Sequence, residues 1–434
     1  MSSVVAPATA VHAATAVRAA SSRRWEIDAL RGLMLVLMTV THIPTRFSDP
    51  LGQPFGFVSA AEGFVLLSAY VAGKVYTERQ LRDGAEAMRV AFFRRALKIY
   101  LCQIALLVFL LAVVALVGVL VRQPAITDLV AYFLERPLTA FFSGLLLLYN
   151  PPLLDILPMY VVFMLISPLV LLVGSRQGRD GVLIVSGVIW LAAQFGLSQG
   201  GYDAIVRLTG MPVPFRETGA FEMLAWQFLW IIGLWIGADE ARGQPVHDQP
   251  FPRWMVRAAL VIFVVHLVWR HLVGHVPFPG HDALNLAYDK WGLGPMRLVN
   301  FLALVLLAIH CAPALVRWLP RPPVLELLGR QSLPVFCAHL VLAMVVLTFF
   351  GGTEPKRSWP VDGLILGSCL AALCGVAWLS DVIDRRAAEA RQQLKAQRAQ
   401  RRRRRAGSAD DPAQSSPDAD APKSRHATVH SRRD

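Results

Sequence analysis

The chain has 434 residues, 55% of them hydrophobic, with a mean hydropathy of +0.47 and a formal net charge of +13. Soluble domains of this length are less apolar and alternate polar with apolar faces, so the composition excludes a soluble globular enzyme and indicates a polytopic membrane protein. The charge is uneven, because Arg385 to Asp434 holds 14 Lys/Arg against 6 Asp/Glu, about +8 of the excess.

Met1 to Ser22 is rich in Ala, Val and Thr, lacks a basic start and contains Pro7, and it reads as a flexible cytoplasmic leader rather than a cleaved signal. Apolar runs then recur at close to the ~20 residues that span hydrocarbon. They cover Leu30–Phe47, Phe57–Tyr76, Leu97–Val121, Ile156–Val173, Val182–Leu197, Phe221–Gly237, Met255–Leu272, Met296–Val316, Ser332–Phe350 and Val361–Leu379. The expected fold is all-α, with about ten transmembrane helices. Asp128 to Asn150 is also apolar in part, but Pro137 and Pro151–Pro152 bracket it, so it reads as re-entrant or interfacial. Basic residues concentrate in alternate loops (Arg79, Arg82, Arg89, Arg94 and Arg95; then Arg176 and Arg179; then Arg242, Arg253 and Arg257; then Arg317, Arg321 and Arg330). The positive-inside rule therefore places both termini in the cytoplasm.

Three regions follow: a leader (1–22), a transmembrane domain (23–384) and a basic, partly disordered cytoplasmic tail (385–434) drawn to anionic lipid headgroups. Nucleic-acid binding by Arg401–Arg405 is discounted, since no aromatic residues are interleaved to stack bases. The five cysteines are scattered through apolar runs without metal-ligand or disulfide spacing. No metal is expected.

The first span carries Arg31 and His42, separated by the ten residues Gly32 to Thr41. Eleven steps are about three turns, so both side chains share one face, roughly 16 Å apart along the axis. Titratable groups on an apolar helix are functional suspects. His42 can take a proton from a hydroxyl, while Arg31 could equally snorkel to headgroups. Glu62 enters the second span about a turn and a half from its outer end, at a depth similar to His42, where it could orient the imidazole or simply satisfy neighbouring backbone. Arg94, Arg95 and Lys98 cluster at the inner end of the third span, suited to a phosphorylated donor such as coenzyme A, although positive-inside charge alone predicts them. On the outer side, Tyr149, Asn150 and Asp155 stand at the entrance of the fourth span. The loop HDALNLAYDKWGLGPMRLVNF offers His281, Asp282, Asn285, Asp289, Lys290 and Trp291. Aromatic platforms with acidic and amide groups suit a sugar, and equally an ordinary polar loop. His339 is a second intramembrane histidine, either packed or reactive. Walker, GxGxxG, HExxH and GxSxG motifs are missing from the sequence.

The stretches EIDALRGLMLVLMTVTHIP, FGFVSAAEGFVLLS, YNPPLLDILPMY, LNLAYDK and LGRQSLPVFCAHL resemble the OpgC proteins, membrane succinyltransferases of osmoregulated periplasmic glucans related to the acyltransferase-3 family. Arg31 and His42 match the Arg-x10-His motif of that wider family, in which the His is held to be catalytic. Arg94 and Arg95 resemble its basic third-helix motif more loosely, with Lys98 in place of a spaced Arg. The resemblance implies a multi-pass protein of the bacterial inner membrane. It implies transfer from cytoplasmic succinyl-CoA to hydroxyls of periplasmic glucan, with acyl-CoA as co-substrate rather than cofactor. In this picture His42 and Glu62 are catalytic. Arg31, Arg94, Arg95 and Lys98 hold the donor, and Tyr149, Asn150, Asp155, His281, Asp289 and Trp291 meet the acceptor. Other glucan-synthesis proteins are possible partners. Acetyl or other acyl transfer to a different glycan or lipid, and a proton-coupled transporter, are the alternative readings.

Overall fold

The computed structural model describes residues 24–246, 251–352 and 357–407, so the leader 1–22 and residues 408–434 of the tail lie outside it. Every regular element among the described residues is helical. The chain divides into two units, Met1–Ser380 and Asp381–Asp434. In the second, the described residues run helically to Gly407, with Arg385 paired to Asp381 at 2.7 Å.

In the first unit the principal helices are α1 (Trp25–His42), α2 (Ala60–Asp83), α3 (Ala85–Val108, continued through a π-turn to Leu120) and α4 (Ile156–Gln177). They are followed by α5 (Arg179–Ala193), α6 (Leu197–Thr209), α7 (Met223–Ala241), α8 (Arg253–Val273) and α9 (Pro295–Trp318). The last are α10 (Pro323–Arg330), α11 (Ser332–Phe350) and α12, which begins at Trp359. Among the described residues six helices are long and apolar enough to cross a membrane (α3, α4, α8, α9, α11 and α12), and α5 with α6, bent by 75°, is a seventh if counted as one span. Of the ten predicted spans, α1, α2 and α7 remain. They run to 18, 24 and 19 residues and carry charged or amide groups within their apolar stretches, Glu26, Asp28 and Arg31 on α1, Glu62 and Lys74 on α2, Gln227, Asp239 and Glu240 on α7. Such groups sit inside protein because lipid would not solvate them. The stretch Asp128–Asn150 belongs to a run of three short helices, Pro124–Leu129, Ala131–Glu135 and Pro137–Leu145, each too short to span.

Small residues let the polar helices approach closely. On α7, Gly233 and Gly237 face α2, where a Cβ on Gly233 would lie 2.9 Å from that of Ala69 and one on Gly237 2.8 Å from the backbone nitrogen of Lys74. This is small-xxx-small packing, in which backbone approach replaces side-chain interdigitation. Between α1 and α10, Gly32 meets Leu325 and Gly329 meets Asp28 in the same way. The result holds α1 against α2, α10 and α11.

Candidate functional site

Two contacts tie α1 to α11. The Arg31 guanidinium donates to the Ser332 hydroxyl at one end, and at the other Nδ1 of His42 lies 3.1 Å from Nε2 of His339. The helices run parallel. Eleven residues separate the two α1 positions and seven the two α11 positions, a difference of about 6 Å in rise that the long Arg31 side chain spans. The imidazole planes are 15° apart and their centroids 5.3 Å apart. That separation equals the nitrogen–nitrogen distance plus about 1.1 Å of ring at each side, so the rings meet edge to edge through one hydrogen bond rather than face to face. His339 is fully buried, with Phe336 edge-on to it at 4.8 Å. The α1 helix ends at His42 because Pro44 follows: the Ile43 N–H still bonds back to Thr39 at 3.0 Å, but proline has no N–H to continue the ladder and holds Ile43 extended.

At the Arg31 end a cavity of about 250 Å³ opens between the helices, lined by Arg31, Tyr76, Arg95, Tyr160, Arg330 and Ser332 among others. Three guanidiniums at one cavity whose remaining lining is mostly apolar could clamp a phosphate, since Arg presents paired donors in a fixed fork. Arg31 and Arg95 therefore share a site, whereas Arg94 and Lys98 are exposed on the outer side of α3 and do not line it. Arg330 was not among the candidates. Its place at the end of α10 made it look like ordinary positive-inside charge.

Glu62 does not orient His42, and the expected pairing is corrected here. Its Oε2 accepts from the Ser59 N–H at 3.0 Å and the Ser59 hydroxyl at 2.6 Å, a capping box that starts α2. Its Oε1 accepts from Nε of Arg297 on α9, and both side chains are buried to 1% exposure or less. The carboxylate is thus held by a helix cap and an arginine, and the imidazole partner is His339. Arg297, one turn into α9, has no precedent in the sequence reading because its partner lies 235 positions away.

The outer candidates scatter. Asp155 accepts from the Ala220 N–H at 3.2 Å and lines a cavity of about 240 Å³ with Asp128, Tyr132, Asn150, Arg216 and Glu217. Burial raises the Asp155 carboxyl above its ordinary range, an effect opposed by that N–H and by Lys290. Asn150 spends its amide on the carbonyls of Leu147 and Thr218, at 3.0 and 2.7 Å, and Tyr149 is buried against Tyr132. Asp289 caps its own turn by accepting from the Gly292 N–H, while the Trp291 carbonyl accepts from the Glu222 backbone N–H and the Trp226 indole. These four serve the loop's architecture. His281 is exposed and joins neither cavity. Lys290 stands over the Trp291 ring, its ammonium 4.4 Å from the ring centroid.

The family model described as OpgC protein matches residues 23–385, and the chain belongs to that family. No curated protein matches the chain, and no solved structure does.

Proposed function

We propose that this OpgC-family protein is a membrane O-acyltransferase that moves a succinyl group from cytoplasmic succinyl-CoA to hydroxyls of periplasmic glucan. In this reading all ten predicted spans cross the bacterial inner membrane, α1, α2 and α7 shielded by the others, and both termini are cytoplasmic. The observation that carries it is the α1–α11 pair, which fixes a cation-lined cavity at one depth and a hydrogen-bonded imidazole about 16 Å along the same face.

The nucleotide end of the donor rests on Arg31, Arg95 and Arg330, and its pantetheine arm extends along α1 toward His42. With His42 donating from Nδ1 to His339, Nε2 is left as a lone-pair base. The acceptor hydroxyl oxygen attacks the thioester carbonyl carbon and its proton goes to His42 Nε2. The carbon–sulfur bond then breaks, and the departing thiolate takes the proton from His42. The acyl group passes to the glucan as an ester. Acceptor hydroxyls enter from the outer face, beside Asp155 and its cavity.

The test compares the charge of periplasmic glucans from cells lacking the protein, restored with wild type or His42→Ala. Wild type is expected to restore anionic, succinate-bearing glucans, and His42→Ala is expected to leave them neutral at equal membrane level. Neutral glucans with wild type would remove glucan as the acceptor, and a fully active His42→Ala would remove the base.

A further inference from the structure

A groove of about 350 Å³ runs between α9 and the α1–α2 pair, on a face of α1 that the donor cavity does not use. Leu30, Leu33, Met34 and Leu37 line it from α1, an i, i+3, i+4, i+7 stripe. Phe301, Val305, Ala308 and Ala312 face them from α9, whose packing partner is α8. Two apolar stripes held apart forgo their mutual dispersion contact, and water does not fill so apolar a space. Along α1 the groove reaches from Arg24 to Leu37, thirteen steps or about 20 Å. One leaflet contributes roughly 15 Å of hydrocarbon, half of the ~30 Å core, so the length suits one lipid chain below its headgroup.

The charged lining residues all lie at one end. There Arg24 stands 3.7 Å from Glu240 and 3.9 Å from Glu26, ion pairs wider than a hydrogen bond. Glu240 accepts from Lys74 at 2.7 Å and from the Tyr70 hydroxyl. Glu26 differs, because its Oε2 is buried and accepts no hydrogen bond among the described residues. A buried carboxylate oxygen short of a donor is costly until one arrives. Trp25, with the Arg321 guanidinium 5.3 Å from its ring centroid, sits at the same end, as tryptophans do at the depth of lipid headgroups.

We propose that this groove binds one phospholipid with a primary-ammonium headgroup, a phosphatidylethanolamine. Its acyl chain lies between α1 and α9, its ammonium donates to Glu26 Oε2, and its phosphate lies beside Arg24. A choline headgroup carries the same net charge but has no N–H to donate. An anionic headgroup would meet two carboxylates against one guanidinium at the mouth of the groove. The site rests on the membrane-spanning part of the reading above and on no step of acyl transfer.

The experiment strips the full-length protein of lipid in detergent and offers equal amounts of phosphatidylethanolamine and phosphatidylcholine with the same acyl chains. Native mass spectrometry then weighs the protein with the lipid it retains, a readout independent of acyl transfer. Wild type is expected to retain one lipid and to favour ethanolamine about 10-fold, the effect of one charged hydrogen bond. Glu26→Gln keeps the side-chain shape and is expected to retain lipid while bringing the two headgroups to within about threefold of each other. Ala308→Phe fills the groove from α9 and is expected to lower retention of both lipids by about 10-fold or more. Equal retention of the two lipids by wild type, or an unchanged preference in Glu26→Gln, overturns the proposal. Unchanged retention in Ala308→Phe overturns it too, because the lipid then sits elsewhere. A wild type that holds no lipid does the same, whether it weighs as one chain or as two, the latter giving the groove to a second copy. Should Ala308→Phe fail to fold, the headgroup preference of Glu26→Gln decides alone.

Discussion

Replacing Gly329 by Ala tests whether backbone contact between α1 and α10 sets the donor cavity. A Cβ on Gly329 would lie 2.6 Å from the Asp28 carbonyl carbon and 2.8 Å from the Gly32 nitrogen, and closer still to the Asp28 oxygen. Ordinary contact begins at 3.4 Å, so the helices must part by about 1 Å, and backbone on both sides offers no flexible chain end to yield. Overpacking of this kind costs about 1–3 kcal/mol. The functional consequence is larger, because Arg330 is the next residue and Ser332, the partner of Arg31, lies two beyond it. A misplacement of about 1 Å can cost ~100-fold in rate. The assay pairs thermal unfolding in detergent with acyl-transfer kinetics against donor concentration, well below the melting temperature. Gly329→Ala should lower kcat/KM for the donor by 10- to 100-fold and lower Tm by a few degrees, by the same overpacking term. Gly367→Ala is the control, since a Cβ there meets nothing within 4 Å. That change should be neutral or slightly stabilising, as Ala is a better helix former than Gly. A Gly329→Ala protein matching wild type in both readouts would refute the link between this crossing and donor binding.

Glu62→Gln should be severely destabilising, by about 3–5 kcal/mol, because it strands the buried Arg297 guanidinium, and adding Arg297→Met should recover much of the loss in a thermal or denaturant series. His339→Phe keeps the bulk of the ring and removes the acceptor for His42 Nδ1. It should lower kcat about 100-fold and alter the pH–rate profile while the donor KM stays within a factor of two, and an equal loss in KM would mark a packing role instead. The Asp155 carboxyl is raised by burial, so the folded state holds its proton longer than the unfolded chain does. Its neutral form favours folding below the ordinary 3.8, and that contribution is lost as pH rises through the folded value. Asp155→Asn should therefore raise Tm relative to wild type more at pH 7 than near pH 4, and the reverse order would contradict a burial-raised carboxyl.

Much of the helical plan was legible in the sequence because hydropathy is a local signal. Every predicted span has a helix, with ends displaced where caps decide them. The first stops at His42 rather than Phe47 because Pro44 intervenes, and the second starts at Ala60 because Ser59 and Glu62 close a capping box. The Arg31–His42 spacing gave both residues to one face, since helical periodicity needs no knowledge of partners. The partners themselves were not legible. Ser332 and His339 lie 301 and 297 positions from the residues they bond. Glu62 looked like a partner for His42 because depth along a helix can be read from sequence, while rotation about its axis depends on which neighbour packs where. Arg297 turned that face toward itself.

That substitution changes how the site balances charge. Had Glu62 faced His42, the carboxylate would have stabilised an imidazolium and the reaction would resemble a Ser–His–Asp relay with the base held ready to carry charge. A histidine partner supplies no negative charge, so the pair orients one imidazole by the hydrogen-bonding pattern of another. Glu62 is instead held by Arg297 and the Ser59 cap, so its negative charge is answered away from the histidine pair.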